Sequence, residues 1–428
     1  MSPSADMRQR IARSVASGLV ALVCTMLLVS SCKGDETTDE VPVAPPSRHA
    51  DLRSTLLSES RGYAFSDGDW QEDLGDAPFF GVAALSRRKD LDANEATMRD
   101  LALARAKVLF KEDLLSGDLQ DKVMAAFGVI EHIAASPSPD PDELAALDEF
   151  VDRLDSLTRT LGDYLEAGAD RSWAIRTYGP TAVTALVGLL HAQYALYVGG
   201  ERKQERLERA LAIDTKIRER ALADLVESYT GQAARAYAIA PGKAALEIYP
   251  NVAMLLLKAR LFRLTKDEAF RLEARAIYAA LQALKLSDEP TRYSSTYAQA
   301  SIKVDTRDMS TLSSQNYLAL ALLSMFEITG DGRFVDEADR VVDAIATMRG
   351  EWCQSHVHDA TACSPVCGAG QACITNSCAA DRCTSGLLHH VVAGRLAEPK
   401  DGTMFCAGCN LQTLYVIGYR RILANEPF

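Results

Sequence analysis

The sequence predicts an all-α protein, and three observations carry that prediction. Apolar residues recur with a helical period along most of the chain. Nearly all-apolar helices alternate with half-wet ones across short turns. Two of the resulting hairpins match each other at a spacing of 64 residues. Residues 333–348 show the period best: Phe334, Val335, Ala338, Val341, Val342 and Ile345 share one face, with Asp336, Glu337, Asp339 and Arg340 between them. Runs with a strand-like period are scarce.

The chain has 428 residues. Arg8, Arg10 and Arg13 give it a basic start, and residues 14–31 then carry no charge. The run ends in Leu28-Val29-Ser30-Ser31-Cys32, which resembles the lipobox of bacterial lipoproteins. That resemblance implies a signal peptide over 1–31, lipid on Cys32 and a protein held in the cell envelope. Lys33 in place of Asp implies sorting to the outer membrane. Residues 33–50 are acidic and contain several Pro, so 32–60 is expected to be a flexible tether and 61–428 the folded body.

Within the body, residues 77–86 pair with 95–115, and 119–134 with 142–166 across a turn holding Pro137, Pro139 and Pro141. Residues 181–198 are apolar nearly all round, which fits a buried core helix better than a second membrane span. Gly199-Gly200 stops it, and the charged 201–226 follows with Leu207, Leu211, Ile217, Ala221 and Leu225 on one side. Residues 251–263 precede the wetter 268–285, and 315–328 precede 333–348. These last two hairpins share T-x-D-x-x-F-x-x-E-A: Thr265, Asp267, Phe270, Glu273 and Ala274 against Thr329, Asp331, Phe334, Glu337 and Ala338. The Asp is expected to cap the second helix, the Phe to dock its first turn, and the Glu to lie on the wet face. Residues 409–424 supply a closing apolar helix.

Five such pairs and one closing helix resemble the (α/α)6 toroid of six-hairpin glycosidases and sugar epimerases. The resemblance implies a ring whose inner helices point their leading ends at one bowl. An open helical-repeat solenoid is the alternative architecture.

Eight cysteines lie near the C-terminus: Cys353, Cys363, Cys367, Cys373, Cys378, Cys383, Cys406 and Cys409. Outside the cytoplasm an even set reads as disulfides, with the pairing left open. The stretch 363–383 resembles small EGF-like or Dickkopf-like knots, so 353–383 is expected to be a stapled insert. His356, His358, His389 and His390 beside Cys406-x-x-Cys409 make a zinc site chemically conceivable, but disulfides are the preferred reading and no metal or other cofactor is expected.

The segments ahead of the inner helices are rich in acidic, amide and aromatic residues. Asp69, Glu72 or Asp73 against Glu247 is the expected carboxylate pair, the minimum for glycoside hydrolysis. Trp70, Tyr178, Tyr249, Asn251, Gln315, Asn316, Asn410 and Gln412 are the expected sugar-binding set, since aromatics stack on sugar faces and amides bind hydroxyls. His132 and His191 fall on apolar helical faces and are read as core residues. A net charge of −12 argues against nucleic acid as a partner. The chain contains no G-x-S-x-G, P-loop, G-x-G-x-x-G or H-E-x-x-H. The expectation is therefore a membrane-anchored toroid that binds a glycan or a protein partner, with a glycoside hydrolase as the alternative.

Overall fold

The computed structural model describes residues 42–63, 83–88, 91–116, 119–166, 179–223, 234–243, 246–294, 296–300, 303–306, 309–353, 366–368, 371–374, 377–380, 383–387, 390–392, 395–396 and 407–426. Among them, helices follow one another as α1 (Ala50–Tyr63), α2 (83–86), α3 (Ala93–Lys111), α4 (Leu119–Ala135), α5 (Pro141–Thr160), α6 (Gly179–Gln193), α7 (Lys203–Ala221), α8 (Ile248–Thr265), α9 (Glu268–Leu281), α10 (Leu312–Thr329), α11 (Gly332–Ala346) and α12 (Ala407–Leu423). The even-numbered helices form an inner ring and the odd-numbered ones an outer ring.

The inner ring closes. Helix α4 packs on α6, α6 on α8, α8 on α10 and α10 on α12. Leu414 of α12 then clusters with Ala84 of α2. From α2, Ser86 Oγ meets His132 Nδ1 of α4 at 2.9 Å, which returns the circle to its start. Helix α6 runs into one π-helical turn, Tyr194–Val198, before Gly199 ends it in the left-handed region. It is the described helix long and apolar enough to cross a membrane, yet it is largely buried inside the ring, between α4, α7 and α8.

The residues read as a tether need correction. Helix α1 lies within and beyond the end of that stretch, and it pairs with α12 as the outer member of the sixth hairpin. Before it, Ala44 N donates to Leu423 O at 2.6 Å and Ser47 N to Glu426 Oε1 at 2.8 Å. Arg420 of α12 donates to Pro45 O at 2.8 Å and, through Nε, to Asp339 of α11 at 3.0 Å. The charge and proline content of the stretch obscured two buried apolar residues, Ala44 and Leu56.

The shared hairpin string behaves as expected at two of its three positions. Asp267 caps α9 by accepting from Ala269 N at 2.9 Å, and Asp331 caps α11 by accepting from Arg333 N at 3.1 Å. Phe334 is buried edge-on against Tyr278. The glutamates do not lie on the wet face: Glu273 and Glu337 are both buried. Glu273 pairs with Lys258 at 2.7 Å, and Glu337 accepts from the hydroxyls of Tyr278 and Tyr293. Each is drawn inward by a donor on a neighbouring element, which helical period alone does not reveal.

The two faces of the ring differ. At the trailing ends of the inner helices the turns are short: Lys266-Asp267 after α8 and Gly330-Asp331 after α10. At the leading ends the connections are long and carry short antiparallel strands. Leu246–Glu247 pairs with Thr296–Ala300, and Met309–Thr311 with His390–Val392. Arg349–Cys353 pairs with Cys383–Leu387, setting Cys353 opposite Cys383, so the cysteine-rich stretch leaves and returns at one place. Within it Cys367 and Cys378 form a disulfide, and Cys409 at the start of α12 is disulfide-bonded too, which takes it out of a zinc ligand set.

Candidate ligand-binding site

Asp69, Trp70, Glu72, Asp73 and Tyr178 lie outside the described residues, as does Cys32. The remaining expected site residues fall at the leading ends of α8, α10 and α12, where most of them hold loops. Asn251 Oδ1 accepts from Tyr237 N at 2.8 Å and its Nδ2 donates to Tyr237 O at 3.0 Å. Gln315 accepts from Tyr293 N at 3.1 Å and donates to Tyr293 O at 2.9 Å. Asn410 accepts from Leu387 N at 2.8 Å and donates to Leu387 O at 3.0 Å. Each is the fourth residue of its helix, and each uses its amide as a copy of a peptide group to grip one loop residue by both backbone atoms. Asn316 bridges Cys409 O and Thr413 Oγ1, each at 2.9 Å. Gln412 is buried, with its Nε2 lacking a hydrogen-bond partner. Asn251, Gln315, Asn316 and Asn410 therefore act as clamps between loops and ring.

Glu247 and Tyr249 are different. Glu247 ends a short strand and starts α8 without capping it through its side chain. Its carboxyl has no hydrogen-bond partner among the described residues, and partial burial pushes its pKa above the usual carboxylate range. Tyr249 Oη meets Thr311 Oγ1 at 3.1 Å, and its ring lies edge-on to Tyr317 with centroids 6.1 Å apart.

Tyr317 lines a cavity of about 80 Å³ at the centre of the ring, to which every inner helix contributes. Ala83 comes from α2, Met124, Phe127, Gly128 and Glu131 from α4, and Leu186, Leu189 and Gln193 from α6. Leu256 and Arg260 come from α8, Tyr317, Leu320 and Ser324 from α10, and Tyr415 and Tyr419 from α12. The wall is mostly apolar and aromatic with a few polar groups, the usual make-up of a small-molecule site.

Toward the trailing ends two hydrogen-bonded clusters, joined by a tyrosine stack, draw on all six inner helices or the turns just after them and form a floor. Arg87, just after α2, donates to Glu131 of α4 at 2.7 Å, and Tyr415 of α12 donates to the same carboxylate at 3.2 Å. The Tyr415 ring stacks on Tyr419, whose hydroxyl donates to Glu327 of α10 at 2.5 Å. Glu327 also receives Arg260 at 2.6 Å and Arg263 at 2.5 Å, both from α8. Arg263 reaches Tyr197 Oη, in the π turn after α6, at 3.3 Å.

The electrostatics follow from burial. Burial disfavours the Glu327 carboxylate, but Arg260 and Arg263 outweigh it and hold its pKa below the usual range. Burial likewise opposes charge on Arg260, and Glu327 more than restores it. The Tyr415 and Tyr419 hydroxyls are raised well above the ordinary phenol value, chiefly by burial, so both remain donors. Glu131 and Glu327 are thus committed to guanidinium partners. None of the expected site residues among those described lines this cavity, Glu247 and Tyr249 included, so sequence reasoning missed it. The available signal was a charge inside an otherwise apolar helix, as with Arg260 and Glu327. His191, expected in the core, is buried with neither ring nitrogen hydrogen-bonded.

No protein-family model matches the chain, and no curated protein matches it in sequence. Solved structures do resemble it. The cellobiose 2-epimerase of Spirochaeta thermophila is 12% identical with a TM-score of 0.56, over 89% of this chain and 100% of that one. An unsaturated glucuronyl hydrolase specific for heparin is 10% identical with a TM-score of 0.55, over 88% and 99%. A GH76 α-mannanase of Bacteroides thetaiotaomicron is 11% identical with a TM-score of 0.53, over 87% and 97%. At such identities the likeness is one of fold. The closed ring of helical hairpins described above is an (α/α)6 toroid, the architecture of these sugar epimerases and glycoside hydrolases.

Proposed function

We propose that this protein is a lipid-anchored toroid of the cell envelope that binds carbohydrate inside its ring. One observation carries the reading: a single cavity collects side chains from all six inner helices, and it combines tyrosine rings with a few converging polar groups. That is what a pyranose needs, with its apolar C–H faces and its rim of hydroxyls. The fold it shares with sugar-acting proteins supports the same reading. Binding is tested by retention of the purified mature chain on a glycan array. A Tyr317→Ala variant with an unchanged circular dichroism spectrum is expected to lose retention, and equal retention removes the cavity from the reading. The anchor is tested separately: Cys32→Ser is expected to release the protein from the membrane fraction and to abolish metabolic labelling with palmitate.

Glu247 favours a second reading, a glycoside hydrolase. Its carboxyl has no hydrogen-bond partner among the described residues and its pKa is raised by burial, which suits a general acid. The wild type is then expected to release reducing sugar from an oligosaccharide that the array identifies, and Glu247→Gln to abolish release while keeping retention. If the wild type releases none, the binding reading stands alone.

A further inference from the structure

Three polar atoms in the cavity wall have no hydrogen-bond partner: Gln193 Oε1, Arg260 Nε and Ser324 Oγ. They come from α6, α8 and α10, three inner helices in succession round the ring, and all three residues line the same cavity. Their exposures are 9%, 5% and 1%. A buried polar atom left unpaired costs about 1–3 kcal/mol, so native proteins hold few of them. Three around one hollow mark a place where a bound molecule completes the bonds.

The set names the chemistry of that molecule. It holds one acceptor, one donor and one hydroxyl that serves as both. Sugar hydroxyls donate and accept, and adjacent hydroxyls on one ring meet all three demands. The rest of the wall, Leu186, Leu189, Leu256 and Leu320 with the rings of Tyr415 and Tyr419, suits a C–H face. The charged groups below already face one another, Arg87 with Glu131, and Arg260 and Arg263 with Glu327. These are three guanidiniums against two carboxylates, so the floor does not by itself fix the charge of the ligand.

The floor decides how far a glycan can go. Because the clusters beneath the cavity draw on all six inner helices or the turns just after them, a chain entering from the leading-end face cannot thread through the ring. We infer that the cavity is a dead-end pocket for one terminal pyranose, so that the toroid recognises the end of a glycan chain and not its interior. This inference rests on the carbohydrate reading above and narrows it.

The test uses the purified mature chain and one set of oligosaccharides of glucose, mannose, galactose and N-acetylglucosamine, with uronate-terminated counterparts. Each is immobilised through its reducing end, through its non-reducing end, or blocked at both. The expected result is retention of chains in one orientation only and none of doubly blocked chains. Ser324→Ala and Gln193→Met are expected to weaken binding about 3- to 10-fold each, the effect of losing one net hydrogen bond. Both are also expected to leave the melting temperature of the unliganded protein equal or higher, because each removes an unpaired buried atom; a side chain with a purely structural role would not separate the two readouts in this way. Equal retention of doubly blocked chains, or unchanged affinity in both variants, overturns the end-recognition pocket while the carbohydrate reading stands. Failure of the wild type to retain any member overturns both.

Discussion

Asn251 and Tyr237 exchange two hydrogen bonds, 2.8 Å from the Tyr237 amide to Oδ1 and 3.0 Å from Nδ2 to the Tyr237 carbonyl. Tyr237 already pairs with Leu222 in a short antiparallel ladder, and the Asn251 side chain supplies the partners for its own amide and carbonyl. Asn251→Leu keeps the volume and removes both partners from buried backbone groups. We expect a loss of about 2–4 kcal/mol in urea unfolding, together with faster hydrogen exchange at the Tyr237 amide than at amides in α10.

The Arg260–Glu327 pair is the most buried part of the cavity floor. Glu327→Gln removes the charge that two guanidiniums share and leaves Arg260 inside the ring without compensation. The expected cost is about 3–5 kcal/mol, read from the denaturant midpoint at an unchanged m-value. Replacing the pair together, with Arg260→Met and Glu327→Leu, is expected to recover most of that loss.

Acid should weaken the fold before the carboxylates titrate. Burial, helped by Arg206, lowers the pKa of His191 to about 3, far below that of the unfolded chain. His49 and His132 are shifted down as well, chiefly by burial. A depressed folded pKa contributes stability that is complete above about 6.5, the unfolded value, and is lost as the pH falls toward the folded value. For His191 alone the slope is about 1.4 kcal/mol per pH unit over that window. Urea midpoints measured at pH 7.5 and pH 5 should therefore drop in the wild type and drop less in His191→Leu.

Arg420 ties the last inner helix to α11 and to the segment ahead of α1. Arg420→Met leaves the buried Asp339 without its guanidinium and frees Pro45 O. We expect a loss of about 3–5 kcal/mol and new proteolytic cleavage between residues 42 and 49, with cleavage elsewhere unchanged under native conditions.

Much of the ring was legible because the inner helices are apolar all round and the outer ones on one face only, a contrast that composition preserves. The caps at Asp267 and Asp331 were legible for the same kind of reason, since a cap is a local event. Helix α1 was not, because two buried apolar residues among prolines and charges leave little period to read. The buried glutamates at 273 and 337 were missed because their donors, Lys258, Tyr278 and Tyr293, lie on other elements and their meeting is a product of the fold. The site divided along the same line. Amides at the leading ends were visible as polar groups, but whether Asn410 faces a ligand or the backbone of Leu387 depends on a loop that arrives from elsewhere in the chain. Gln193, Arg260 and Ser324 gave still less warning, because which polar residue of a helix faces the hollow unpaired depends on what its neighbours across the ring supply.

The sixth hairpin is built from the two extremities of the folded body, α1 from one and α12 from the other. During synthesis the ribosome therefore releases the final component of the circle only after the five earlier hairpins. Until then the five earlier hairpins stand as an arc, with the cavity-facing sides of α2 and α10 open to water. Such a nascent arc is sticky, and a helper that shields greasy surfaces would act on it at just that stage. Docking of α12 against α1, α10 and α2 ends that exposure.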